Sequence, residues 1–230
     1  MHDPRAMTAT LACCMVIAVS CLSIIMPKAP GASESVPRSD ASALLVLDLQ
    51  VDFVERGGRM PIAADQIEQV LKMSNLAIEA SAARQMAIVY IGNEYTRWDI
   101  PGNWFRRNAA RAGTPGAALD PHLNRIVGAP YFPKRRGDAF SNPDLERFLR
   151  AHQIGRVVLC GVYAGDCVTA TAHGALGRGI SVFILSDAVG AASATARRLA
   201  LARLSQTGAQ IVTTEEFIKI SAAQLRALPD

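Results

Sequence analysis

A cysteine that serves as a nucleophile needs donor-rich backbone, a proton acceptor and a cation close to its sulfur. Residues 156–172 offer the first: the run opens apolar, breaks at Gly161 and resumes as a small-residue helix with Cys167 in its first turn. Backbone N–H groups at a helix start have no partner inside the helix and carry partial positive charge. A thiol placed there ionises more easily, and the thiolate is the reactive form. Asp48 and Lys134 supply the other two needs, each standing just beyond a short apolar run. Each of the three also has a plainer reading, as a buried cysteine, a turn aspartate and a solvated lysine. Together they make a thiol, a proton acceptor and a cation that steadies both anions. Around them Phe53, Trp98, Trp104 and Tyr163 are candidates to wall an apolar pocket. Arg135 or Arg106 is the candidate to hold a substrate carboxylate by a bidentate fork.

The surrounding elements decide whether these side chains meet. Residues 43–48 are an unbroken apolar run ending in a carboxylate, the pattern of a strand buried on both faces. Residues 62–84 space Ile67, Val70, Leu71, Leu76 and Ile78 among polar neighbours, which predicts an amphipathic helix. A second strand is predicted over 86–91. Next comes an irregular stretch, 92–125, holding both tryptophans and expected to be ordered over a pocket. A third strand over 129–133 leads to Lys134, and Asn142 caps a helix to about residue 153 with Pro143 at its first position. Strands at 157–160, 180–185 and 210–212 alternate with helices to 177, over 193–207 and over 215–228. This alternation predicts an α/β fold, a doubly wound six-stranded parallel sheet with helices on both faces. With strand order 3-2-1-4-5-6, strands one and four are neighbours where the order reverses. Asp48 and Cys167 then face each other across the crevice where such folds bind ligands.

Composition narrows the function classes. Formal net charge is +4, but the basic residues come as short pairs and triplets such as Lys134-Arg135-Arg136. A nucleic-acid footprint is clustered, so no nucleic-acid partner is expected. Neither a G-x-G-x-x-G nor a P-loop follows a predicted strand, which disfavours a nucleotide-binding protein. Cys13, Cys14 and Cys21 lie near the N-terminus, leaving Cys160 and Cys167 in the body without metal spacing. Residues 8–26 are an uncharged, mostly apolar run, and residues 27–40 read as a Pro/Ser/Gly-rich linker. Residues 1–40 are therefore expected to be a signal peptide or membrane anchor with its linker, and 41–230 the catalytic domain. The chain is then exported, periplasmic or secreted, or anchored by that segment, which is the one expected membrane contact. It is cytoplasmic if the start is assigned too far upstream.

Over about residues 41–220 the chain resembles the isochorismatase-like cysteine hydrolase superfamily. The matching pieces are Leu45-Val46-Leu47-Asp48-Leu49-Gln50-Val51-Asp52-Phe53, Gly113-Thr114-Pro115-Gly116-Ala117, Lys134 with Ala139-Phe140, and Gly161-Val162 through Cys167-Val168 to Thr171-Ala172. Ser186-Asp187-Ala188 and Thr213-Thr214-Glu215-Glu216 also fit. The resemblance implies a catalytic triad of Asp48, Lys134 and Cys167, and a cis peptide at Val162–Tyr163. It also implies an oxyanion hole from the backbone N–H groups of Tyr163 and Cys167, and a homo-oligomer. The expected reaction is cleavage of a C–N bond in a small amide through a thioester, with no cofactor. Isochorismatase-type ether hydrolysis and a non-catalytic binding protein on the same fold are the alternatives. Metal-dependent relatives use an Asp-x-His pair plus another histidine. His2, His122, His152 and His173 are read as standing outside such a pair, so no metal is expected. Two departures stand out: Gly174 replaces an aspartate common in relatives, and Tyr163 replaces a small residue.

Overall fold

The computed structural model describes residues 41–220. The leader and linker read over 1–40, and the end of the helix expected to reach residue 228, lie outside the described residues. Six strands form one parallel sheet: β1 (Ala41–Leu47), β2 (Ala87–Asn93), β3 (Tyr131–Lys134), β4 (Ile154–Val162), β5 (Ser181–Gly190) and β6 (Gln210–Val212). Their order is β3-β2-β1-β4-β5-β6, all pairs parallel, as the alternation predicts. The reversal lies between β1 and β4.

The central strands are apolar throughout because both of their faces are covered. Side chains alternate across a strand, so Leu44 and Val46 of β1 go to one face and Ala43, Leu45 and Leu47 to the other, all fully buried. The first face packs against α2 (Ile67–Ala83) through Val70, Ala77 and Ile78, and against Phe217 of α7 (Thr214–Lys219). The second takes Leu145 and Leu149 of α4 (Pro143–Ala151), Ala172 and Ala175 of α5 (Thr169–Leu176), and Leu204 of α6 (Ala194–Ser205). Small residues on α5, Ala172 and Ala175, are fully buried in this layer. Asn142 caps α4 by accepting from the Asp144 N–H, with Pro143 first in the helix. Thr213 and Glu216 form a reciprocal capping box on α7. Two short helices, α1 (Val51–Val54) and α3 (Ile100–Phe105), sit in the loops beyond β1 and β2. Among the described residues no helix is long and apolar enough to cross a membrane.

Strands β4 and β5 run further than their apolar cores suggest. Gly161 reads as a break, yet β4 continues through it to Val162. Ser186 and Asp187 read as the end of β5, yet the strand continues to Gly190. Asp187 is spent on the neighbouring element, its Oδ1 accepting both the N–H and the hydroxyl of Thr214 at 2.8 Å.

Candidate active site

Lys134, the last residue of β3, organises the centre of the crevice. Its Nζ lies 2.9 Å from Asp48 Oδ2 and donates to Asn93 Oδ1 at 2.8 Å, the Arg136 carbonyl at 3.1 Å and Cys167 Sγ at 3.2 Å. An ammonium has three N–H donors, so four acceptors compete for them and the sulfur has the longest contact. Asp48 follows β1 with φ of +54°, a left-handed conformation that aspartate tolerates better than most residues. Its N–H donates to the Ile91 carbonyl at 2.8 Å, which fixes the turn against β2. Cys167 sits not in the first turn of an α-helix but in a wide five-residue π turn, Ala164–Val168, after which α5 begins at Thr169. In that turn the Val168 N–H reaches the Tyr163 carbonyl, and the Thr169 hydroxyl donates to the Ala164 carbonyl at 2.7 Å. Such insertions recur where a helix must re-aim a functional side chain.

Asp48, Lys134 and Cys167 are all nearly inaccessible to solvent. Burial pushes the Asp48 carboxyl above the usual aspartate value, and the neighbouring ammonium only partly offsets it. Burial works against the Lys134 ammonium too, yet Asp48 and Cys167 together hold its pKa above that of a free lysine. Contrary to the easier ionisation expected at a helix start, the Cys167 thiol is pushed up, first by burial and then by the Asp48 charge. A carboxyl with heightened proton affinity thus lies beside a thiol, with a fixed cation to balance whichever of them is charged. The arrangement suits a thiol that gives up its proton only as it attacks.

Two further residues build this centre, and a third lies near it. Asn93, at the end of β2, accepts from Lys134 and directs its Nδ2 at the Cys167 sulfur, 3.7 Å away. Gln50 holds Asn93 by both backbone groups: its Oε1 accepts the Asn93 N–H at 2.8 Å and its Nε2 donates to the Asn93 carbonyl at 2.8 Å. The same Nε2 reaches the Ala117 carbonyl. The Tyr95 hydroxyl has its pKa pushed up to about 12, mainly by burial and then by the nearby Cys167. The signal for Asn93 and Tyr95 is their place just past the β2 apolar run, the same placement that marks Asp48.

Asp52 ties the loops around the site. Its carboxylate accepts the Ala110 N–H at 2.8 Å and the Arg59 N–H at 3.2 Å. Gly116 passes so close that an added Cβ would lie 2.0 Å from Asp52 Oδ2. Gly116→Ala therefore displaces the carboxylate from both amides and costs about 2 kcal/mol. A melting scan should show a drop of several degrees; an unchanged Tm would remove this role for Asp52.

The remaining sequence candidates divide. Phe53 and Tyr163 meet edge to face at 5.8 Å between centroids. The Tyr163 hydroxyl donates to the Met60 carbonyl, and the Val162–Tyr163 peptide is cis. Its ring thus fills the space under the 58–62 loop that a small residue would leave open. Arg135 lines a cleft of about 560 Å³ with Glu94, Lys134, Arg136 and Asn142. Trp98 and Trp104 are 73% and 75% exposed, so neither closes over the buried sulfur. Arg106 is spent on Asp99 and on the Tyr95 ring, 3.8 Å from its centroid. Gly174 has a structural account: an added Cβ would lie 2.7 Å from Asp138 Oδ1 and 2.9 Å from the Phe140 ring. The Asp138 carboxylate occupies the room that a longer side chain there needs.

Against the expectation from sequence, His122 does not stand outside an Asp-x-His pair. Asp120 and His122 do form an Asp-x-His pair, with Oδ1 3.0 Å from Nδ1. Among the described residues no group of three or more His, Cys, Asp or Glu side chains could hold a metal ion.

Residues 42–216 match the family described as the Isochorismatase domain. The chain is 27% identical over 173 residues to the ureidoacrylate amidohydrolase RutB of Methylorubrum extorquens, covering 65% of this chain and 70% of that one. It is 37% identical over 185 residues to the secreted isochorismatase effector Isc1 of Phytophthora sojae, covering 80% and 77%. A solved isochorismatase-like hydrolase from Alkaliphilus metalliredigens matches with a TM-score of 0.70 at 26% identity, covering 78% of this chain and 98% of that one.

Proposed function

The chain belongs to the isochorismatase domain family, and from that premise we propose that it is a cysteine amidohydrolase acting on a small amide, carbamoyl compound or ureide. The observation that carries this reading is the single ammonium held between a carboxylate and a thiol, 2.9 Å from Asp48 and 3.2 Å from Cys167. In the proposed reaction Asp48 takes the Cys167 proton as the sulfur attacks the carbonyl carbon. The backbone N–H groups of Tyr163 and Cys167 receive the developing oxyanion, where one such donor is worth about 3 kcal/mol in other hydrolases. The tetrahedral intermediate collapses with loss of the amine, which leaves with the proton held by Asp48. Asp48 then draws a proton from a water whose oxygen attacks the thioester carbon; the C–S bond breaks, the acid departs, and Asp48 returns the proton to the Cys167 sulfur. Lys134 stays protonated throughout and balances the negative charge as it moves between carboxylate and sulfur.

A release screen over small amides, carbamoyl compounds and ureides tests the reaction class. Ammonia release that depends on Cys167 supports it; pyruvate released from isochorismate without ammonia release from any amide favours ether hydrolysis instead. For substrate charge, Arg135 is the candidate, standing in the cleft beside Lys134. Arg135→Ala should lower kcat/KM for a carboxylate-bearing amide by about tenfold to a hundredfold, the worth of a charged hydrogen-bond pair. A neutral analogue should be unaffected. Equal losses on both substrates would remove Arg135 from recognition.

A further inference from the structure

Both tryptophans of the chain lie on its surface, in one short stretch. Trp98, Ile100, Trp104 and Phe105 are 73%, 70%, 75% and 77% exposed. With 150–250 Å² per aromatic side chain, they present roughly 600 Å² of apolar surface, the upper end of what a typical monomer leaves bare. The stretch is built to hold them outward. Asp99 caps α3 by accepting the Gly102 N–H at 3.2 Å, and the buried residue of the helix is polar: Asn103, whose Nδ2 donates to the Thr96 carbonyl. Arg106 lies over the Tyr95 ring on the protein side. This helix is amphipathic in the reverse sense, polar inward and apolar outward.

The charge around the aromatics is one-sided. Residues 97–111 carry Arg97, Arg106, Arg107 and Arg111 against Asp99 alone, four positive charges less one negative, a net of +3. Arg97 stacks over the Trp98 ring at 4.5 Å, and Arg107 is exposed. Tryptophan and phenylalanine flanked by arginine are the residues that settle at a membrane interface, with the rings among the headgroups and the cations on acidic lipid.

We propose that α3 and its flanks form a docking surface for an anionic phospholipid bilayer. A second copy of the chain fits less well, because a two-fold contact through this face would press two sets of arginines together. The proposal is independent of the amide chemistry above. It predicts membrane contact by the folded body, separate from any made by residues 1–40.

Trp98 and Trp104 are the only tryptophans, so fluorescence of the full-length chain excited selectively at tryptophan, clear of the four tyrosines, reads this face. With vesicles containing phosphatidylglycerol the emission should shift to shorter wavelength and be quenched by brominated lipid. Phosphatidylcholine alone, or high salt, should reduce the response several-fold. Full-length protein with Arg97→Glu and Arg107→Glu should keep its catalytic activity and lose at least tenfold in the vesicle titration. Emission unchanged on acidic vesicles, even when the protein sediments with them, would show attachment elsewhere and overturn the proposal. It would equally be overturned by emission already blue-shifted without lipid in a protein that sediments as a dimer.

Discussion

Replacing Cys167 with alanine lowers turnover of the best amide by about ten-thousandfold or more, the scale of losing a nucleophile in other hydrolases. Among the described residues, the sulfur is the one group shown both contacting the Lys134 ammonium and lying beside the Asp48 carboxyl. Cys160 offers no substitute. It is fully buried in the sheet, and its Sγ faces the Leu45 carbonyl at 3.9 Å rather than the Lys134 ammonium. Removing one sulfur from a packed site leaves a small cavity, so the cost in stability stays within about 1.5 kcal/mol. The Asp48–Lys134 pair at 2.9 Å remains in the variant. An ammonia assay beside a melting scan separates the two effects, and a folded, fully active variant would rule out the thioester route.

Lys134→Met should damage both activity and stability, with a distinctive pH dependence. Breaking a buried pair by removing one partner costs about 3–5 kcal/mol, because the other charge is left without compensation. Burial already raises the Asp48 pKa against the opposing pull of Lys134, and without the ammonium it rises further. The native state then holds a proton that the unfolded state releases above about pH 4. Stability therefore falls as pH rises from there through the new folded pKa. The wild-type lysine, its own pKa raised, is charged throughout this window and adds no slope. Wild-type Asp48, raised less, gives a fall of the same sign, so urea unfolding should find the loss of stability from about pH 5 to about pH 7 larger in the variant than in the wild type. Turnover should drop by about a thousandfold or more, since a protonated Asp48 cannot accept the thiol proton. A variant whose stability is flat across that range would mean Asp48 is ionised without Lys134.

The sheet was readable because its central strands carry unbroken apolar runs, and Asp48 and Lys134 because each directly ends one. Strand alternation then allowed one crevice only, and Cys167 lies beyond the strand that borders it. What escaped was set by contacts between distant segments. Asn93 looks like the first residue of a loop, and its value comes from Gln50, 43 positions earlier, gripping both its backbone groups. The turn around Cys167 reads as ordinary helix in its small residues; its widening depends on the Tyr163 and Ala164 carbonyls being drawn to Val168 and Thr169. Gly174 gains its meaning only from Asp138, 36 residues away in sequence, whose carboxylate fills the same space. The tryptophans mislead for the opposite reason. Large aromatics are usually core, and nothing in their spacing shows that the polar side of α3 faces inward.

The most direct test of the central claim is to catch the acyl group on the sulfur. The protein, quenched in acid during turnover of its best amide, should carry one adduct with the mass of the acyl fragment on the peptide containing Cys167. Hydroxylamine should remove it, as expected of a thioester. Full turnover without any such adduct, together with oxygen from labelled water entering the product in a Cys167→Ala variant at the wild-type rate, would contradict the account.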